Sequence, residues 1–153
     1  MALNFTAGTQ NFPAKIIQTV QTQLANSVST TSGNYQEITE LSTALTLQHS
    51  SNKVIATLVL QIQAYGDQDR RCEAAIFHTN LTARFTQATT GEYHSGGSSS
   101  YSFGQQTHQI LVTPNASSMT FKAGFRSVDG STVGIQGTAS YWRSYFVLQE
   151  VHF

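Results

Sequence analysis

The chain has 153 residues, with 8 Lys or Arg against 8 Asp or Glu, so its formal net charge is zero at pH 7. A single domain of that length buries roughly 70% of the surface its unfolded chain exposes, and the lone Cys72 has no intrachain disulfide partner. Charged residues are only 10% of the chain while Ser, Thr, Asn and Gln number 59, so the surface is mostly polar and uncharged; that balance excludes a general nucleic-acid binder and a polybasic membrane anchor.

In chain order, residues 1–13 come first, with Leu3, Phe5 and Phe12 set among polar residues in no strand or helix period. The opening Met1–Thr6 lacks the basic and apolar regions of a signal peptide, so none is expected. Residues 1–13 are expected to form an extended arm that lies on another subunit; the alternative is an arm folded back on its own domain. From about residue 14 the chain reads as strands. Leu41, Leu45 and Leu47 share a parity, and His49-Ser50-Ser51-Asn52 turns the chain into the strongest strand, Lys53–Tyr65. There Val54, Ala56, Leu58, Leu60, Ile62 and Ala64 hold one parity, and the other is partly apolar, as in a central strand. No segment is long and apolar enough to cross a bilayer as a helix.

Gly66-Asp67-Gln68-Asp69 reads as a solvated turn, since the downstream acidic ligands of a calcium loop are missing. Arg71–Thr79 follows as a strand, and Leu81, Ala83 and Phe85 share one side of the next run. The stretch Ser95–Ser100, flanked by Tyr93, Tyr101 and Phe103, reads either as a flexible hairpin loop or as an exposed tip whose aromatic rings make contacts. His108, Ile110 and Val112 precede Pro114, which ends that strand because proline lacks a ladder donor. Ser118–Val128 alternates cleanly, with Met119, Phe121, Ala123 and Phe125 on one side and a polar side expected to meet water or a partner. Asp129-Gly130 supplies positive φ for a tight hairpin. Val133 and Ile135 lead to a final strand, Tyr141–Phe153. Eight or nine strands with no helical period predict an all-β fold, an antiparallel jelly-roll-like sandwich over residues 14–153 with the arm at 1–13.

Chemistry is hard to assemble from these residues, and no enzyme is expected. The five histidines are scattered singly, without the spacing of metal ligands, and read as surface or turn residues. Cys72 reads as a small buried apolar residue. Glu37 and Glu40 differ in parity and do not converge as an acid/base pair needs. No catalytic residue, metal or cofactor is expected.

Several short segments carry a resemblance. They are Lys15-Ile16-Ile17-Gln18-Thr19-Val20, Tyr35-Gln36-Glu37-Ile38 leading into Leu41 to Leu47, the junction Ser50-Ser51-Asn52-Lys53-Val54, and the closing Val147-Leu148-Gln149-Glu150-Val151. Over about residues 14–151 the chain resembles the β-sandwich virion proteins of tailed (cyano)phages, which are capsid cement, decoration or fibre-knob modules. The resemblance implies a homotrimer on the capsid exterior that bridges neighbouring major capsid subunits. The chain lacks the coiled-coil stalk of longer fibre members, which favours a compact knob. On that reading the arm residues Leu3, Phe5 and Phe12 dock on the capsid. The aromatic run with Tyr141, Trp142 and Tyr145 either packs at the trimer interface or fills the sandwich core. The alternative function is a tail-fibre or receptor-binding knob, with Tyr93, Tyr101 and Phe103 on host surface polysaccharide.

Overall fold

The computed structural model describes residues 15–65, 70–79, 81, 84–85, 89–93, 101–137 and 143–152. The arm with Leu3, Phe5 and Phe12, the Ser95–Ser100 stretch, Asp67, Asp69, Tyr141 and Trp142 lie outside these residues. The described chain forms eleven strands: β1 (Lys15–Gln23), β2 (Val28–Thr30), β3 (Gln36–Glu37), β4 (Thr43–Thr46), β5 (Lys53–Tyr65), β6 (Arg70–His78), β7 (Thr89–Tyr93), β8 (Tyr101–Val112), β9 (Ser118–Ser127), β10 (Val133–Ile135) and β11 (Tyr145–His152). A single turn of 3-10 helix, Thr39–Leu41, stands before β4. The count exceeds the eight or nine expected because β2, β3 and β10 are two or three residues long, too short to show a period.

Two antiparallel sheets make the sandwich. In the first, β5 is central: β8 pairs with it along its whole length on one side, while β11 and then β10 pair on the other. β1 lies outside β11 and β2 outside β10. In the second sheet β9 is flanked by β6 on one side and by β3 and β4 on the other, with β7 beyond β6. Alternation puts every second side chain of a strand on one face, so the register fixes the core. Val54, Ala56, Leu58, Leu60, Ile62 and Ala64 of β5 face Cys72, Ala74 and Ile76 of β6 and Met119, Phe121, Ala123 and Phe125 of β9. Phe146 and Leu148 of β11 complete that layer.

Two readings of the sequence need correction. The Asp-Gly turn is present, with Gly130 at φ +78° and Asp129 Oδ1 accepting from Ser131 N at 3.0 Å. It does not close a hairpin, however. β9 belongs to the second sheet and β10 to the first, so the turn carries the chain across the sandwich. His108 is not a surface residue either; it is 4% exposed on the inward parity of β8, opposite Leu58. Its Nε2 lies 3.3 Å from Gln106 Oε1, and Gln106 in turn donates to the carbonyl of Cys72 at 3.1 Å. Burial lowers the imidazole pKa. Of the run 81–85, Leu81 sits in a turn and Arg84 makes one isolated bridge to Phe77, while Ala83 lies outside the described residues.

The outward side of β9 is also more covered than its polar alternation suggested. Phe77 is fully buried there and meets the ring of Tyr35 edge-on at 4.8 Å. Arg126 crosses the Tyr35 ring at 5.0 Å and pairs with Glu73. Lys122 pairs with Glu37 at 2.7 Å. Glu40 is engaged elsewhere, accepting from Ala25 N at 2.6 Å, so the two glutamates do not converge, as their parity indicated.

Side-chain bonds stitch the sheets together on the β1 side. Gln18 Nε2 donates to the carbonyl of Thr46 at 2.7 Å and Thr22 Oγ1 to that of Leu41 at 3.2 Å. Next to them Glu150, 0% exposed, accepts from Asn52 Nδ2 at 2.6 Å, Gln48 N at 2.9 Å, His49 N at 3.2 Å and Gln18 Nε2. Burial pushes this carboxyl up, but the bonds from Asn52, Gln48, Gln18 and His49 outweigh it and hold it below the usual range.

Candidate functional site

The outer face of the first sheet gathers what the described surface has to offer a partner. Residues paired across an antiparallel ladder project to the same side, and the rows can be read directly. One row runs Thr19, Gln149, Ile55, Leu111; the next Gln21, Val147, Thr57, Gln109; the next Gln23, Tyr145, Val59, Thr107. Gln61 with Gln105 and Gln63 with Phe103 continue it along β5 and β8. Ile16, opposite Val151 and Lys53, closes the far corner.

Two properties set this face apart. Four large apolar side chains are well exposed among the described residues, and three of them are here: Ile16 at 52%, Phe103 at 50% and Leu111 at 48%. Within the rows named, Lys53 is the only charged residue. Between these points lie the half-buried Ile55 and Val147, the buried Val59 and Val151, and amide and hydroxyl groups tied into a net: Gln61 Nε2 donates to Gln105 Oε1 at 3.1 Å, Gln109 Nε2 to Thr57 Oγ1 at 2.9 Å and Gln105 Nε2 to Thr107 Oγ1 at 3.2 Å. Hydrogen-bonded cross-strand pairs hold these side chains in fixed positions, which lowers the entropy lost when a partner covers them. Four strands about 4.8 Å apart over a run of eight residues give a face of roughly 500 Å², against about 800 Å² for one side of a standard protein interface.

Of the residues singled out from the sequence, the structure puts Phe103 and the half-buried Tyr145 on this one face. Tyr93 ends β7 and Tyr101 begins β8. Sequence reasoning missed Ile16 and Leu111. Leu111 had a signal: it is an apolar residue on the parity that carries Gln105, Thr107 and Gln109, opposite to the inward Ile110 and Val112. Ile16 had none, because the register of β1 shifts between Ile16 and Gln18 and decouples its parity from the rest of the strand.

Among the described residues, no group of three His, Cys, Asp or Glu is placed to hold a metal ion. Cys72 is fully buried, as its sequence context indicated, and burial pushes its thiol up to about 12.

No protein-family model matches the chain, and no curated protein matches it. Among solved structures it is similar to a chain in the structure of infectious bursal disease virus, Gx strain. The identity is 10% and the TM-score 0.39, over 87% of this chain and 36% of that one. At that TM-score the likeness carries no argument; the antiparallel β-sandwich stands on its own strand pairing.

Proposed function

We propose that the protein is a structural component of a phage virion, a capsid cement or decoration protein that binds the shell as a trimer and bridges neighbouring major capsid subunits. The observation that carries this reading is the outer face of the first sheet, uncharged over most of its area and studded with Ile16, Phe103 and Leu111. Such a face, with separate apolar points set in a fixed, uncharged polar net, has the mixed character of a standard protein interface. Its lack of charge makes contact little dependent on external salt.

Bridging works by area and multiplicity. A closed trimer presents three copies of the face and three arms, so modest single contacts multiply through effective concentration. A ligand that binds only the assembled shell shifts the equilibrium toward it. The arm residues Leu3, Phe5 and Phe12 add a second anchor. Tyr145 lies on the same face, between Gln23 and Val59, and on this reading meets the neighbouring subunit.

The experiment is a count of copies per purified particle, followed by rebinding to stripped particles with residues 1–12 deleted. Copies on the scale of the capsid subunits, and weakened rebinding after deletion, support the reading. A few copies confined to the tail would replace it with the receptor-binding knob.

A further inference from the structure

A cleft opens between the sheets at one end of the sandwich, where β6 and β8 end and β9 begins. Its volume is about 240 Å³, smaller than the roughly 300–1,000 Å³ of drug-sized sites, so it has room for a single ring. Phe85, Val112 and Met119 supply an apolar wall. Phe85 is held in place by Phe121, 5.3 Å away and tilted, and by the edge of His78, also at 5.3 Å. The mouth carries Thr113, Asn115 and Arg84, all exposed.

We propose that this cleft is a subsite for one neutral pyranose ring of a glycan. A pyranose has an apolar C–H face and a rim of hydroxyls, each both donor and acceptor. The cleft answers with an aromatic and aliphatic wall and a rim that mixes the same capacities. Asn115 offers an amide carbonyl and NH₂, Thr113 a hydroxyl that donates and accepts, and His78 a ring nitrogen of either role. A purely hydrocarbon guest would strip water from those groups and leave them unsatisfied, which is costly. An anionic guest is not called for either. Arg84 already has a counter-charge in Glu73, its Nη1 lying 3.6 Å from the carboxylate, and it donates to the hydroxyl of Tyr35 at 3.4 Å. This site opens between the sheets rather than on the outer sheet face, and it does not depend on the virion reading.

The test uses saturation-transfer NMR on the full chain, whatever its oligomeric state. The probes are methyl glycosides of glucose, galactose, mannose and N-acetylglucosamine, with p-cresol standing for the tyrosine side chain of a protein partner. The variant Thr113→Val/Asn115→Ala alters exposed positions only and keeps the fold, which its unfolding midpoint verifies. The expected result is transfer to the ring C–H protons of at least one glycoside and its loss in the double variant. Transfer unchanged in the variant, transfer to p-cresol alone, or transfer to no glycoside overturns the proposal. Shell binding by the same variant stays intact if the two surfaces act separately, so failure here is distinguishable from failure of the structural role.

Discussion

Asn52 and Glu150 stand 98 residues apart in sequence and meet in the interior, with Asn52 Nδ2 donating to Glu150 Oε1 at 2.6 Å. Asn52 Oδ1 is itself bonded to His152 Nδ1 at 2.9 Å. The carboxylate thereby fastens the turn between β4 and β5, one strand of each sheet, to the C-terminal strand. Replacing Glu150 by Gln puts an NH₂ where the Gln48 and His49 amides donate. Removing one acceptor from a buried charged network costs about 1–3 kcal/mol or more. E150Q is therefore expected to lower the unfolding free energy by that order, which a lower urea midpoint at unchanged slope reads out. A midpoint equal to wild type means that the network is solvated in solution.

Stability also falls with pH in two stages. His108 is held below its ordinary 6.5 by burial, so the unfolded chain takes up that proton first. Stability therefore declines as pH falls from 6.5 toward the folded value. Glu150 is held below its ordinary 4.5, so its contribution is complete above that pH and is lost as pH falls through the lower folded value. His108→Gln should flatten the upper stage and leave the lower. Urea titrations at a series of pH values check this, and an unchanged upper stage in the variant means that His108 is not its source.

A methyl group at residue 124 has no room. A Cβ there falls 2.7 Å from Phe77 Cε2 and 3.2 Å from Leu81 Cδ2, and the Phe77 ring is itself backed by the Tyr35 ring 4.8 Å away. Forcing a buried ring from its seat costs roughly 1–3 kcal/mol, so Gly124→Ala is expected to lower stability by that order. Thermal unfolding reads it out; a neutral substitution shows that the aromatic roof over β9 yields freely.

Much of the scaffold was legible because β5 keeps one apolar parity from Val54 to Ala64 and β9 from Met119 to Phe125, and parity converts directly into a buried face. The inward placement of Cys72 followed in the same way. Parity also contained the two polar residues that were misread or passed over. His108 shares its side with Ile110 and Val112, and Glu150 shares its side with Phe146 and Leu148, so both point inward despite their chemistry. What could not be read was pairing at a distance. The Asp129-Gly130 turn is encoded locally, whereas the sheet that receives β10 depends on β5 and β2, far away in the chain. The outer face was out of reach for the same reason: Ile16 and Leu111 become neighbours of one surface only through the β1–β11–β5–β8 order.

Cys72 gives a clean probe of opening. Its side chain is fully buried and its thiol pushed up to about 12, so both access and thiolate are withheld in the folded state. Reaction with a thiol reagent at neutral pH is expected only at the rate at which the sandwich opens, rising sharply across the urea transition. Rapid labelling in native buffer would place Cys72 in a locally mobile region.

The claim that the outer face of the first sheet is the assembly surface is tested most directly by co-sedimentation with stripped particles, comparing wild type with Ile16→Gln/Leu111→Gln. Both side chains are half exposed, so the variant should unfold at the wild-type midpoint. The account predicts a trimeric wild type that pellets with the shells and a folded variant that stays in the supernatant. A variant that pellets as well as wild type, or a wild-type monomer that ignores the shells, contradicts it.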